Sequence, residues 1–218
     1  MSDDVRLRDV EEPDLEVFFE QQLDPEAARL ANFPSRDRER FMTHWKTKVL
    51  GDPTVFVQTV TADGEPAGSV VAWWDEDRRF VGYWFGRQYW GRGIGTRALT
   101  QFLEREETRP LYADPFSGNT GSVRLLEKCG FERTGTVTYG DAEHIMLVLH
   151  TPHRSRNLRI GRDSAQTSIG PERPARAPRH EAAGPAGRRS GGGSVRQPAT
   201  GRDPRYRRQR RAPGYAGG

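Results

Sequence analysis

One cysteine stands among the 218 residues, and no unbroken apolar run approaches the roughly 18 residues that a membrane-spanning helix needs. The second absence excludes such a helix, and no membrane partner is expected. The first excludes a disulfide framework and a cysteine-rich metal site. Cys129, at the end of an apolar-periodic segment, reads as a small core residue. His44 and His144 have no companions at metal-ligand spacing, so no metal is assigned. The opening Met1-Ser2-Asp3-Asp4 is acidic with no apolar stretch behind it. That argues against a secretory signal and makes the cytoplasm the expected location.

Residues 151–218 lack phenylalanine, tryptophan and lysine altogether, and their only large aliphatics are Leu158, Ile160, Ile169 and Val195. Glycine and proline fill 19 of those 68 positions. Such a segment cannot bury enough apolar surface to offset its ordering entropy, so a disordered tail is expected there. Charge divides at the same place. Residues 1–150 carry 18 basic and 26 acidic side chains, a net of −8, whereas residues 151–218 carry 16 and 4, a net of +12. The overall +4 describes neither part. Residues 1–150 therefore form one acidic domain of ordinary size. Within the tail, Arg205–Arg211 with Tyr206 could hold RNA or a ribosome through phosphates. Equally, 31 of the 34 basic residues are arginine, as GC-rich coding of an unselected or read-through extension would give.

Along the domain, Val5–Arg8 alternates as a half-buried strand does. Pro13 opens a helical segment with Leu15, Phe18, Phe19 and Leu23 on its apolar side, and Asp37–Leu50 repeats the signal with Phe41, Trp45 and Val49 four apart. Thr54–Thr61 and Ala67–Trp74 are β-rich runs joined through Asp63-Gly64, a hairpin signal. The charged cluster from Asp75 to Arg79 reads as a second turn, leading into a strand at Phe80–Phe85. A helix is expected from about Gly95 to Arg105, a short strand at Leu111–Ala113, and a helix over Asn119–Lys128, capped by Asn119 and stopped by Gly130. Thr134–Tyr139 and Glu143–Leu149 close the domain around Gly140-Asp141. Trp73 and Trp74, adjacent on a strand, must face opposite sides. Phe33 and Trp45 are candidates either for core or for the wall of an acceptor cleft.

The segment from Gly82 to Thr96 reads as strand, short loop, closely spaced glycines, then helix. Glycines let main-chain N–H groups approach an anion, and a helix N-terminus adds a positive dipole end. Arg92 and Arg97 could neutralise charge there. A tight turn with no ligand is the plain alternative. A Walker loop fails because Gly95-Thr96-Arg97 lacks the lysine. A dinucleotide fingerprint has Gly91-x-Gly93 and Asp114 about twenty residues on, but its third glycine falls on Thr96 and the preceding strands form hairpins.

Trp90-Gly91-Arg92-Gly93-Ile94-Gly95-Thr96 resembles the acetyl-CoA pyrophosphate loop of the GNAT superfamily of N-acetyltransferases. Asn119-Thr120-Gly121-Ser122, with Leu125 to Phe131, is similar to that superfamily's second signature. Tyr89-Trp90-Gly91 is most like the branch that acetylates N-terminal alanines of ribosomal proteins. The resemblance implies an α/β (α+β) acyltransferase fold, with a mixed, mostly antiparallel central sheet and helices on both sides. It implies acetyl-CoA as co-substrate and a primary amine, a protein N-terminus or a small amine, as acceptor. The backbone of Tyr83, Trp84 and Phe85 would pair with the pantetheine arm, and amides from Gly91 to Thr96, through Arg92, Gly93, Ile94 and Gly95, would cradle the pyrophosphate. Asn119 would bond the pantetheine, or serve as a plain helix cap, or both. Ser122 would lie near the cofactor sulfur, or be a small residue for close helix packing.

Direct acyl transfer needs a neutral amine beside a polarised thioester, and N–H groups where the fourth strand splays from the fifth could polarise it. Deprotonating a lysine ammonium at pH 7 costs about 4–5 kcal/mol, an α-amine about 1. Asp114, ending the fifth strand, is the candidate carboxylate for that proton, or simply a loop-starting Asp before Pro115. Many GNAT enzymes place a tyrosine in the second signature to protonate the departing thiolate. Here that position is Leu126, which leaves Ser122 or solvent. The missing tyrosine and the basic tail also fit a non-catalytic module that binds CoA or nucleic acid. The acidic balance of the domain favours a cationic acceptor.

Overall fold

The structure, a computed structural model, describes residues 3–151. The tail expected to be disordered lies outside the described residues. Strand β1 (Val5–Arg8) is followed by α1 (Asp14–Gln22), α2 (Pro25–Ala31) and α3 (Arg38–His44), the last running into a π-helical turn at Trp45–Val49. Then come β2 (Phe56–Ala62), β3 (Glu65–Asp75), β4 (Arg78–Phe85), α4 (Ile94–Leu103), β5 (Leu111–Ala113), α5 (Thr120–Lys128), β6 (Glu132–Tyr139) and β7 (Ala142–Leu149). The seven strands make one sheet in the order β1-β2-β3-β4-β5-β7-β6. Every neighbouring pair is antiparallel except β4 and β5. This is the mixed sheet the sequence implies.

The apolar runs of β3 and β4 bury both faces. Val70, Ala72, Val81, Tyr83 and Phe85 pack towards α4 and α5, while Val71, Trp73, Phe80 and Trp84 pack towards α1–α3. Trp73 is core, stacked on Phe80 at 5.9 Å, and Trp74 is exposed beside the Arg79 guanidinium at 5.4 Å. Trp45 is core, with Phe18 at 5.0 Å, and Phe33 is half-buried under Arg36. Cys129 is fully buried, and burial pushes its thiol up to about 11.

Two elements depart from expectation. Helix α2 is an addition. Its periodic stripe is only Ala27 and Ala31, too weak to read, although Asp24 caps it by accepting from the Glu26 and Ala27 amides, with Pro25 in the first turn. The second turn is also shorter than the charged cluster suggests. Asp75 already pairs with Arg78, and Arg79 is a strand residue, 5 % exposed.

Arg79 can lie there because it is paired. Its Nε and Nη2 donate to Glu106 Oε2 at 3.1 and 2.7 Å, its Nη1 donates to Thr54 O at 2.6 Å, and the Thr108 amide donates to Glu106 Oε1 at 3.0 Å. A second pair, with Asp14 buried and Arg8 half-buried, joins α1 to the sheet. Arg8 meets Asp14 with two bonds of 2.6 and 2.7 Å, and Thr59 Oγ1 donates to Asp14 Oδ2 at 2.7 Å. Burial pushes both carboxyls up, but these hydrogen bonds and the facing guanidinium outweigh it and hold Asp14 and Glu106 below the usual range. A carboxyl so depressed adds stability above its unfolded pKa, near 4, and loses it as the pH falls through the lower folded value. The urea midpoint of the wild-type chain should therefore drop in acid. Glu106→Ala, which strands a buried guanidinium, should cost about 3–5 kcal/mol at pH 7 and flatten that acid limb. Urea titrations at pH 7 and in acid check both outcomes.

Candidate active site

Strands β4 and β5 are in register only at Arg79↔Leu111 and Phe80↔Tyr112, yet β4 continues to Phe85. Beyond Phe80 the two diverge. The ladder with β3 decides which groups face the gap. The Gly86 amide donates to Ala67 O at 3.0 Å, and antiparallel pairing alternates, so Gly82 and Trp84 turn their main chains to β3. Tyr83 and Phe85 turn theirs to the edge that β5 leaves open. Of the three residues expected to form this edge, Trp84 drops out. Its main chain belongs to β3, and its indole Nε1 donates to Gln21 O at 3.2 Å on the α1 side. The Phe85 carbonyl accepts from Trp90 Nε1 at 3.0 Å.

The edge leads through a 3₁₀ turn, Arg87–Tyr89, to the start of α4. Gly91 and Gly93 have φ of 72° and 74°, which only glycine adopts cheaply, and a Cβ added at either meets nothing within 4 Å. Conformation, not space, requires them. Gly95 differs, because a Cβ there would lie 2.5 Å from Leu125 Cδ1, so this glycine lets α5 approach α4. Gly93 is the N-cap of α4 and supplies no side-chain cap. The amides of Ile94, Gly95 and Thr96 are thus the orphan donors of a helix start. They adjoin a cleft of about 310 Å³ whose lining includes Phe85, Trp90, Gly93, Thr96, Arg124 and Lys128.

The arginines expected to serve this cleft point elsewhere. The Arg92 guanidinium bonds the Asp3 carboxylate, and Arg97 Nη2 reaches the same carboxylate at 3.4 Å. The Arg92 hydrogen bond holds Asp3 below the usual carboxylate range. Only the main chain of Arg92 belongs to the loop. The cations that line the cleft are Arg124 and Lys128, one turn apart on α5. Sequence reasoning passed over them, although a basic i, i+4 pair on the second-signature helix was the available signal.

Below the cleft, Asn119 Oδ1 accepts from the Ser122 amide at 3.0 Å and caps α5, with Asn119 only 1 % exposed. Ser122 is fully buried. Its Oγ lies 2.7 Å from Tyr83 Oη, which also donates to Ser122 O at 3.1 Å. Burial raises the Tyr83 hydroxyl far above the phenol range, so it remains a donor tying β4 to α5. Leu126 is buried as well. Asp114 follows β5 and is half-buried; because β4 and β5 are parallel, it lies at the same end of the sheet as Phe85. Its Oδ2 accepts from Tyr139 Oη at 2.9 Å.

An acetyltransferase (GNAT) domain pattern matches residues 4–132. The chain belongs to the GNAT acetyltransferase family. An aminoglycoside N(6')-acetyltransferase type 1 of Klebsiella pneumoniae is 31 % identical over 124 residues, 53 % of this chain and 60 % of the relative. A kanamycin resistance protein of Rhizobium radiobacter is 40 % identical over 62 residues, 27 % and 57 % of the two chains. The crystal structure of aminoglycoside acetyltransferase AAC(6')-Ib with coenzyme A and kanamycin matches with a TM-score of 0.57 at 26 % identity, over 67 % of this chain and 95 % of that one. The GNAT chain here thus spans about 60 % of the length of that Klebsiella relative. These relatives give no support to the ribosomal-protein N-terminal-alanine branch that Tyr89-Trp90-Gly91 suggested. Trp90 has a local structural task, bonding the end of β4, and so says little about the acceptor.

Ser122→Ala in this GNAT domain removes a partner of the Tyr83 hydroxyl and should cost about 1 kcal/mol of stability. A lowered urea midpoint with unchanged acetyl-CoA affinity is the expected result.

Proposed function

We propose that the chain is an acetyl-CoA-dependent N-acetyltransferase whose acceptor is a primary amine on a small polycationic molecule of the aminoglycoside kind. The observation that carries the reading is the edge of β4 that β5 leaves unpaired, with the Tyr83 main chain and the Phe85 amide turned to it, leading into the amide-lined cleft. These residues fit the cofactor. The first-turn amides of α4 suit a pyrophosphate, Arg124 and Lys128 suit its charge, and the exposed strand edge suits the amides of a pantetheine arm. Asn119 holds the fold of α5 under that arm. Acetyl-CoA supplies the acetyl group as a thioester.

The chain's own residues do the rest. Main-chain N–H groups on the diverging edge of β4 provide donors for a developing oxyanion. Asp114, at the mouth of the gap, attracts an ammonium and takes its proton directly or through water. With Leu126 apolar and Ser122 sealed under the cleft, solvent delivers the last proton. The small-amine acceptor is supported by the named activities of the relatives, by the acidic balance of residues 1–150 and by Asp114 at the mouth. Nucleic-acid or ribosome contact through the tail rests on composition alone.

Acetyl-CoA titration followed by thiol release on kanamycin, spermidine and an alanine-initiated peptide tests the reading. Release with the polyamines above that with the peptide is expected. Binding without release on any amine favours the non-catalytic module, and binding untouched by Gly93→Glu overturns the cofactor site. Arg124→Gln with Lys128→Gln should weaken acetyl-CoA by about tenfold or more, with a larger loss at low salt.

A further inference from the structure

Strand β5 has only three residues, and past Ala113 the chain is held by the β6–β7 hairpin instead of the sheet centre. The Ile145 amide donates to Pro115 O at 2.9 Å, the Ser117 amide donates to Glu143 O at 3.0 Å, and Phe116 bridges to His144. Two hairpin side chains then converge on Asp114 itself. Tyr139 Oη donates to its carboxylate at 2.9 Å, and His144 Nδ1 lies 2.8 Å from its main-chain oxygen. A carbonyl oxygen only accepts, so His144 carries its proton on Nδ1 in this contact. The imidazole stands edge-on to Tyr139 at 5.0 Å and to Phe116 at 5.8 Å, which restricts all three rings.

We propose that Tyr139 and His144 are positioning residues that present the Asp114 carboxylate to the acceptor amine, making the β6–β7 hairpin a determinant of acceptor binding. The inference rests on the acetyltransferase reading above. A hydroxyl donated to one carboxylate oxygen holds the group that attracts the ammonium in one orientation. The clamp also fixes the direction from which that ammonium is met. Tyr139 is not there for the core. Strand β6 is mostly exposed, Tyr139 is only half-buried, and its hydroxyl reaches across to the residue just past β5.

Tyr139→Phe keeps the ring contact with His144 and removes one hydroxyl; Asp114→Asn keeps the volume and removes the charge. Steady-state kinetics of the full chain, with the panel amine the wild type acetylates best, should show the acceptor KM of Tyr139→Phe raised about tenfold. Its acetyl-CoA KM should stay the same, and its kcat should change less than the acceptor KM. Asp114→Asn should lose more. The double variant should be no worse than Asp114→Asn alone, because Tyr139 acts through Asp114; independent structural damage would add. An unchanged acceptor KM in Tyr139→Phe, an equal rise in the acetyl-CoA KM, or additive losses would overturn the clamp. A wild-type chain inert towards every amine would instead overturn the acetyltransferase reading, and the clamp with it.

Discussion

Everything in the candidate site depends on where β4 and β5 stop pairing. Two parallel strands normally satisfy each other's main chains along their length; here they do so for two residue pairs and then part. The Arg79–Glu106 pair explains why the parting is one-sided. It ties the root of β4 to the segment that leads from α4 into β5, with both side chains almost wholly buried. An ion pair so desolvated is weak evidence for stability. Its bond geometry nevertheless fixes one end of the gap, and the other end opens towards Asp114 and the loop before α4.

Electrostatics then sorts the open end. On its α4–α5 side the cleft offers amides, Arg124 and Lys128; on the β5 side stands a carboxylate. The Asp3 contact adds to this order. By engaging Arg92 of the glycine loop and Arg97 of α4 it draws two arginines away from the cleft, and the groups left to meet an anion there are mainly main chain. Main-chain donors are held by the fold itself and lose little freedom on binding, whereas long cationic side chains must be ordered.

The same distinction explains what was legible in the sequence. The glycine loop, the Asp63-Gly64 hairpin and the Asn119 cap are readable because each is a local backbone requirement written in residue type, and the Phe41-Trp45-Val49 stripe because its period shows within one segment. Helix α2 escapes because its stripe is two alanines. Arg79 escapes because a charge beside a turn is normally solvated, and its partner Glu106 is 27 residues away in the chain. Proximity in sequence assigns Arg92 and Arg97 to the cleft, but a helix start sends successive side chains in different directions, and theirs meet Asp3. Trp84 shows the parity of a strand. Of three consecutive residues on an edge, only alternate ones turn their main chains outward, and the ladder with β3 must be known before one can say which.

A site made chiefly of backbone announces its cofactor more readily than its acceptor. Glycines at positive φ and an uncapped helix start are demanded by the anion and show in any sequence that meets the demand. The side proposed to meet the acceptor is built differently. Asp114 is held through Tyr139 and His144, which come from the last hairpin and touch it only across the fold, 25 and 30 residues away. No spacing rule connects them. The Tyr-Trp-Gly triplet carries little about the acceptor for the same reason, since it belongs to the cofactor side, where Trp90 closes β4. With Asp114 meeting the acceptor as proposed, acceptor preference follows from side chains that converge in space, and changes on the exposed β6–β7 hairpin would alter it while leaving β4, α4 and α5 untouched.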